Sequence, residues 1–192
     1  MEPRPPVFFF DYLDPLSYLV DRELASIEDG AGVRSPRRVP LELRPPPAPL
    51  LDPDGPEWGA RWALAGEAAS ALGVPLLEPP LLPWTRKAHE LVLHAAAKGL
   101  GAAAHQAVFE AVFLHGKDVG RVDVLVGLAQ ALGMDAMEAK VVLDVDRWAE
   151  DVAALRHAAT EAGVAEPPAL VLGSEILRGF HNRDALRTFL LR

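Results

Sequence analysis

Cysteine is absent from the 192 residues. That excludes disulfides, thiolate metal ligands and thiol catalysis by the chain itself. Any thiol chemistry would need a thiol brought by a ligand. Cations are scarce too: 19 Lys and Arg against 27 Asp and Glu give a formal net charge of −8. Nucleic acid is therefore excluded as a main partner, because phosphate binding needs clustered positive charge. Arg34, Arg37 and Arg38 form a small basic cluster that falls short of such a footprint and reads as an exposed loop. No apolar run reaches the length of a membrane span, so no membrane partner is expected. The opening stretch MEPRPPVFFFDYLD has too short an apolar segment for a signal peptide, with acids following at once. A cytoplasmic location is the expectation. There is no P-loop or dinucleotide fingerprint, so no nucleotide is expected. The histidines form no zinc motif: His89 and His94 do not share a helix face, and Glu90 with His94 at i,i+4 reads as a surface pair. No metal is expected.

What is present is a globular mixture, 50% hydrophobic and 24% charged, long enough for one domain with a sizeable insertion. Val7–Asp11 is an apolar, aromatic run that reads as a buried strand. Asp14 and Pro15 then supply an N-cap acid and an N1 proline. The spacing of Leu16, Leu19, Val20 and Leu24 predicts a helix from about Pro15 to Glu28, ended by Gly30 and Gly32. Arg38–Arg44 alternates as a second strand, at a sheet edge because of Pro40.

Pro45–Pro56 is a proline-rich connector. Beyond it a helical period predicts Glu57–Leu72, Trp84–Lys98, Ala102–Leu114, Arg121–Leu132, Asp135–Leu143 and Asp146–Ala162, with Gly73, Gly99, Gly116 and Gly133 where C-caps belong. Trp58 and Trp62 share a face and are expected to pack together. Strand character returns at Pro168–Gly173 and Ile176–Gly179 around a Ser174–Glu175 turn, followed by a helix at Arg183–Leu191 capped by Asn182. The order is β-α-β, a helical block, then β-β-α. The expected fold class is thus α/β, a thioredoxin-like fold with a large all-helical insertion between its βαβ and ββα halves. Residues 1–50 and 163–192 form the thioredoxin-like domain and 51–162 the helical insertion.

Three stretches carry a resemblance. Phe8–Leu19, FFFDYLDPLSYL, is similar to a pattern F-x-F-D-x-x-S-P-x-S-Y/W. Lys87–Asp135 is similar to a helical insertion with the loop Gly116-Lys117-Asp118-Val119-Gly120 between two helices. Gly163–Gly173, GVAEPPALVLG, is similar to G-V-x-G-V-P-x-F-x-x-G. Together they resemble the DsbA-like thioredoxin proteins, in particular the branch of 2-hydroxychromene-2-carboxylate isomerases and kappa-class glutathione transferases. The disulfide members carry Cys-Pro-x-Cys where this chain has Asp14, Pro15, Leu16 and Ser17.

The resemblance implies a cis-proline at Pro168, facing the N-terminus of the first helix. It leaves the backbone of Pro167, Pro168 and Ala169, together with Pro15, available to a ligand. It also implies a glutathione cofactor or another small-molecule or thiol-tripeptide ligand, and a homodimer. In the isomerase and transferase members the first motif position is typically a serine that hydrogen-bonds the glutathione sulfur. Asp14 occupies it here, and Ser17 matches the second serine. A helix N-terminus favours an anion, and Asp14 supplies one that would repel a thiolate.

Two readings of Asp14 follow: an N-cap, or a general base acting with Ser17. Trp84 stands where relatives have an Asn, as either an aromatic wall or a plug. Asp11 either meets the buried helix start or caps the turn, and Tyr18 belongs to the core. The functional readings are a glutathione-dependent isomerase or transferase without thiol redox activity of its own, or a non-catalytic DsbA-like binding protein with a degenerate site.

Overall fold

The structure, a computed structural model, describes residues 5–28 and 33–192. Gly30 and Gly32, expected to end the first helix, lie outside them. In chain order the elements are β1 (Val7–Phe10), α1 (Pro15–Glu28), β2 (Arg37–Pro40), α2 (Pro56–Leu72), α3 (Arg86–Ala97), α4 (Gly101–Phe113), α5 (Val122–Ala131), α6 (Ala136–Asp144), α7 (Ala149–Glu161), β3 (Ala169–Leu172), β4 (Glu175–Arg178) and α8 (Arg183–Leu190). The sheet order is β2-β1-β3-β4. β2 lies parallel to β1 across the α1 crossover, while β3 is antiparallel to both β1 and β4. This is a thioredoxin-like α/β fold.

The period of two in β1 divides the core. Phe8 and Phe10 point into the large apolar cluster that takes in α1, α3, α4 and α8. Phe9 points the other way, into a smaller cluster with Val39, Leu41, Ala169 and, from α7, Ala159. Both faces of the strand are therefore covered, which is why VFFF shows no polar alternation. On α1 the residues Leu16, Leu19, Val20, Leu24 and Ile27 form the buried stripe, as the 3.6-residue period requires. Phe10, Tyr12, Phe109, Tyr18 and Phe113 continue it as an aromatic cluster with neighbouring ring centroids 4.9 to 6.4 Å apart. Each such ring contributes on the order of 2–3 kcal/mol by burial. Trp58 and Trp62 stack at 5.8 Å.

Most helix limits agree with the sequence reading to within a residue or two. Asp135 and Asn182 cap α6 and α8 by accepting from the N–H groups of Glu138 and Ala185. Gly73 ends α2 in the left-handed region at φ 66°, a conformation glycine adopts without strain.

Four expectations need correction. β2 ends at Pro40 instead of Arg44, because the chain then leaves the ladder and Leu43 donates its N–H to the Asp11 carboxylate at 2.5 Å. The helix expected from Asp146 begins at Ala149; Asp146 itself has φ 52° in a turn. The β3–β4 turn is Gly173–Ser174, one residue earlier than read. Arg37 and Arg38, read with Arg34 as an exposed loop, lie in β2, where the Arg38 guanidinium bonds Asp21 at 2.6 Å and Glu28 at 3.1 Å and ties the edge strand to α1.

Burial alone would raise the Asp21 carboxyl, but His105 and Arg38 outweigh it and hold Asp21 below its ordinary 3.8. A depressed carboxyl adds stability that is present above the unfolded pKa and is lost as pH falls through the folded one. Arg38→Met is expected to cost about 1–2 kcal/mol near neutral pH, because both partners are partly exposed. The gap to wild type should narrow as pH falls below 3.8; urea unfolding across that range measures it.

Candidate functional site

The N-terminus of α1 is built by a sharp turn after β1. Asp14 donates its N–H to the Asp11 carbonyl at 3.2 Å, and its own carbonyl accepts from Tyr18 at 3.2 Å. The Asp14 side chain caps the helix: Oδ2 accepts the Ser17 N–H at 2.9 Å and the Ser17 hydroxyl at 2.5 Å. The Ser17 Oγ in turn accepts the Asp11 N–H at 3.3 Å. Asp14 and Ser17 are both 0% exposed. Pro15 is buried at N1, where its missing N–H costs nothing.

Opposite this turn the Pro167–Pro168 peptide bond is cis. Between the two stands Arg61, on the face of α2 that also carries Trp58 and Ala65. Its Nη1 donates to Asp14 Oδ1 at 2.8 Å and to the Pro167 carbonyl at 3.2 Å, while Nη2 reaches Glu166 at 3.3 Å. The Pro168 carbonyl accepts the Gly179 N–H at 2.9 Å, and Ala169 opens β3. Asp14, Ser17, Pro15, Pro167 and Pro168 are thus brought to one place, and the space between them is filled by a guanidinium. Burial pushes the Asp14 carboxyl above its ordinary 3.8, with Arg61 and Ser17 pulling it back.

Trp84 is in neither of its expected places. It is 40% exposed, its indole donates to the Ala48 carbonyl at 3.0 Å, and it lines a separate cleft of about 290 Å³ with Pro46 and Leu50. Among the described residues no hydrogen bond, ion pair or ring contact joins it to Asp14 or Pro168. Its neighbour Thr85 reaches inward instead, donating to Asp11 Oδ1 at 2.6 Å, and His89 Nε2 lies 3.2 Å from the same oxygen. Asp11 thereby joins β1, the end of β2 and α3. Glu90 and His94 form no surface pair. Glu90 is fully buried and accepts the Trp148 N–H at 3.2 Å, while His94 faces Glu138 at 3.5 Å. The described residues hold no group of three or more His, Asp or Glu placed to bind a metal ion.

Sequence reasoning missed Arg61, Thr85 and Glu166. Only Arg61 left a signal: it is the sole cation in α2, on the same face as the paired tryptophans. A cation in that position points inward and requires a buried anion.

A thioredoxin-type sheet, a helix N-terminus facing a cis-proline and an interposed helical block together define a DsbA-like thioredoxin protein. The chain belongs to the DSBA-like thioredoxin domain family, whose profile matches residues 7–191. It is 30% identical over 182 residues to the protein of Bacillus subtilis (strain 168) named "Uncharacterized protein YwbO", covering 92% of this chain and 90% of that one. Among solved structures it is similar to a 2-hydroxychromene-2-carboxylate isomerase, with TM-score 0.76, 22% identity, and 97% and 92% of the two chains covered. It is similar also to the cytosolic disulfide reductase DsbM from Pseudomonas aeruginosa, solved with GSH, at TM-score 0.71 and 20% identity, with 97% of each chain covered. At those identities the structures establish the fold.

Arg61→Ala removes the cation and leaves a buried carboxylate, so it should cost about 3 kcal/mol at neutral pH, the low end for a broken buried pair. Asp14→Asn keeps the cap acceptor, leaves a partly exposed arginine and should cost less. A raised carboxyl holds its proton in the folded state to higher pH than in the unfolded chain. The stability it contributes is full below 3.8 and declines as pH rises through the folded value. Without Arg61 that value rises further, so the penalty should grow from acid to neutral pH and be nearly absent in Arg61→Ala/Asp14→Asn. Denaturant titrations of the three variants at several pH values test this.

Proposed function

We propose that this chain is a DsbA-like protein that performs no thiol redox step and acts by binding, with the α1 N-terminal site closed by its own Asp14–Arg61 pair. One observation carries the reading: the Asp14 carboxylate is 0% exposed and both its oxygens are engaged, one by Ser17 and one by Arg61. A general base needs an accessible lone pair at the proton it takes, and this one is sealed. A thiolate arriving here would meet a carboxylate where the helix dipole would otherwise have welcomed it. The division into a thioredoxin-like unit (1–50 with 163–192) and a helical insertion (51–162) belongs to the same proposal, because α2 of the insertion supplies the closing cation.

A second reading is a glutathione-dependent isomerase or transferase. It is favoured by the cis Pro167–Pro168 bond opposite α1 and by the partial exposure of Arg61, whose side chain keeps 15% of its surface open. In that reading Arg61 turns from the Pro167 carbonyl to a carboxylate of the tripeptide. The glutathione-bound DsbM is a structural neighbour that supports a small thiol ligand.

Titration calorimetry with glutathione and S-methylglutathione separates the two. A closed site predicts no heat of binding from wild type at millimolar ligand, and measurable affinity in Asp14→Ser, which removes the carboxylate and frees the guanidinium beside Pro167. Wild-type binding that is lost in Arg61→Ala would sink the closed-site reading and establish the second.

A further inference from the structure

Two large apolar side chains are left exposed on one cleft. Trp84 is 40% and Leu50 44% exposed. Both line the cleft of about 290 Å³ between the chain after β2, the start of α3 and the loop before α5, where Pro46 and Pro83 complete the apolar surface. Trp84 is held in place, since its indole N–H is fixed to the Ala48 carbonyl at 3.0 Å. Exposed apolar residues that occur singly are ordinary, whereas adjoining ones mark interaction sites. The cleft shares no lining residue with the Asp14–Arg61–Pro167 bridge. It therefore stands apart from the α1 site, whether that site is closed or open.

The charges around the indole have one prevailing sign. Arg86, Lys87 and Arg121 line the cleft with a single acid, Asp118, in a chain whose formal net charge is −8. Asp118 is turned to its own loop, where Oδ1 accepts the Gly120 N–H at 2.9 Å. Lys87 is spent on Asp146 and the Leu143 carbonyl. Arg86 is not spent. Its nearest acids are Asp146 at 3.5 Å and Glu90 at 3.8 Å, and among the described residues it makes no hydrogen bond. Its Nε is enclosed, while its two Nη groups stay open to solvent on a side chain that keeps 35% of its surface. Arg121 is paired only with Asp123, two positions along, at 2.7 Å, and both are exposed. Such a surface pair is worth little and exchanges readily.

We propose that this cleft docks an acidic segment of a partner polypeptide that carries one apolar residue. The apolar side chain lies on Trp84 and Leu50, and the flanking carboxylates take the Nη groups of Arg86 and the guanidinium of Arg121. A guanidinium matches a carboxylate by two parallel hydrogen bonds, and Trp and Arg are the residue types that carry most interface energy. The cleft lies just under the roughly 300–1,000 Å³ of sites that enclose a small molecule, so it takes one side chain of a longer chain. A nucleic acid does not fit, because its phosphates need a denser row of cations.

The test uses the full chain and the peptide acetyl-EELEE-amide, followed by ¹H–¹⁵N NMR at the Trp84 indole N–H. The expected result is a saturable shift of that resonance at millimolar peptide, weakened by added salt because the cations are solvent-exposed. The basic counterpart acetyl-KKLKK-amide should not bind, and acetyl-EEGEE-amide, which lacks the anchor, should bind about tenfold more weakly. Trp84→Ala removes the wall for the anchor and should also cost about tenfold, read on the backbone amides around the cleft. Leu50→Glu puts a carboxylate on the exposed side of the cleft. It should abolish binding with an unchanged melting temperature, and it serves where Trp84→Ala does not fold. Arg86→Gln and Arg121→Gln should each weaken binding several-fold. No saturable binding of acetyl-EELEE-amide, equal affinity for the basic peptide, or affinity unchanged in Leu50→Glu would overturn the docking site. Affinity unchanged in both arginine variants would overturn the carboxylate recognition.

Discussion

A carboxylate with no exposure at the start of α1 is the constraint on which the site depends. The helix dipole and the Ser17 N–H and hydroxyl stabilise Asp14, yet in a low-dielectric surrounding they do not offset the cost of a bare charge. The remaining compensation comes from Arg61, forty-seven positions away on α2. The same guanidinium binds the Pro167 carbonyl before β3. One ion pair thus fastens the βα half, the helical block and the ββα half to each other at a single point. Through this pair a protein group bridges the helix start and the cis-proline.

Asp11 complements this on the other side of the turn. Its carboxylate takes the Thr85 hydroxyl, the His89 ring and the Leu43 N–H, so β1, the chain after β2 and α3 converge on one residue. A buried carboxylate with this many donors is satisfied without a metal or a ligand. The first turn is therefore rigid for two separate electrostatic reasons, and both are internal to the chain. The DsbA-like frame is kept here without any cysteine, and Asp14 at the start of α1 is held by Ser17 and Arg61.

Much of the fold was legible in the sequence because it rests on local signals. VFFF with no polar alternation gave a strand buried on both faces. Asp14-Pro15, Asp135 and Asn182 gave helix starts, and Gly73 a helix end. The places where reading failed are places where a distant partner overrode a local preference. Arg44 lies beyond the end of β2 because the Asp11 carboxylate draws Leu43 out of the ladder. Arg38, grouped with an exposed basic loop, is instead half-buried because Asp21 and Glu28 on α1 receive it. Glu90 and His94 were spaced for a surface pair, yet the packing of α3 buries them and gives each a different partner.

By itself the sequence determined the absence of thiol chemistry by the chain and the strand and helix order, since these follow from composition, period and adjacent residues. It left open whether Asp14 was a base or a cap and whether Trp84 walled or plugged the site. Tertiary structure gave the contacts: Trp84 turns outward to Ala48, and Arg61 pairs with Asp14. The physical reason is that a residue's charge partner and its access to solvent are properties of the packed chain. Sequence spacing carries neither when the partner comes from another element.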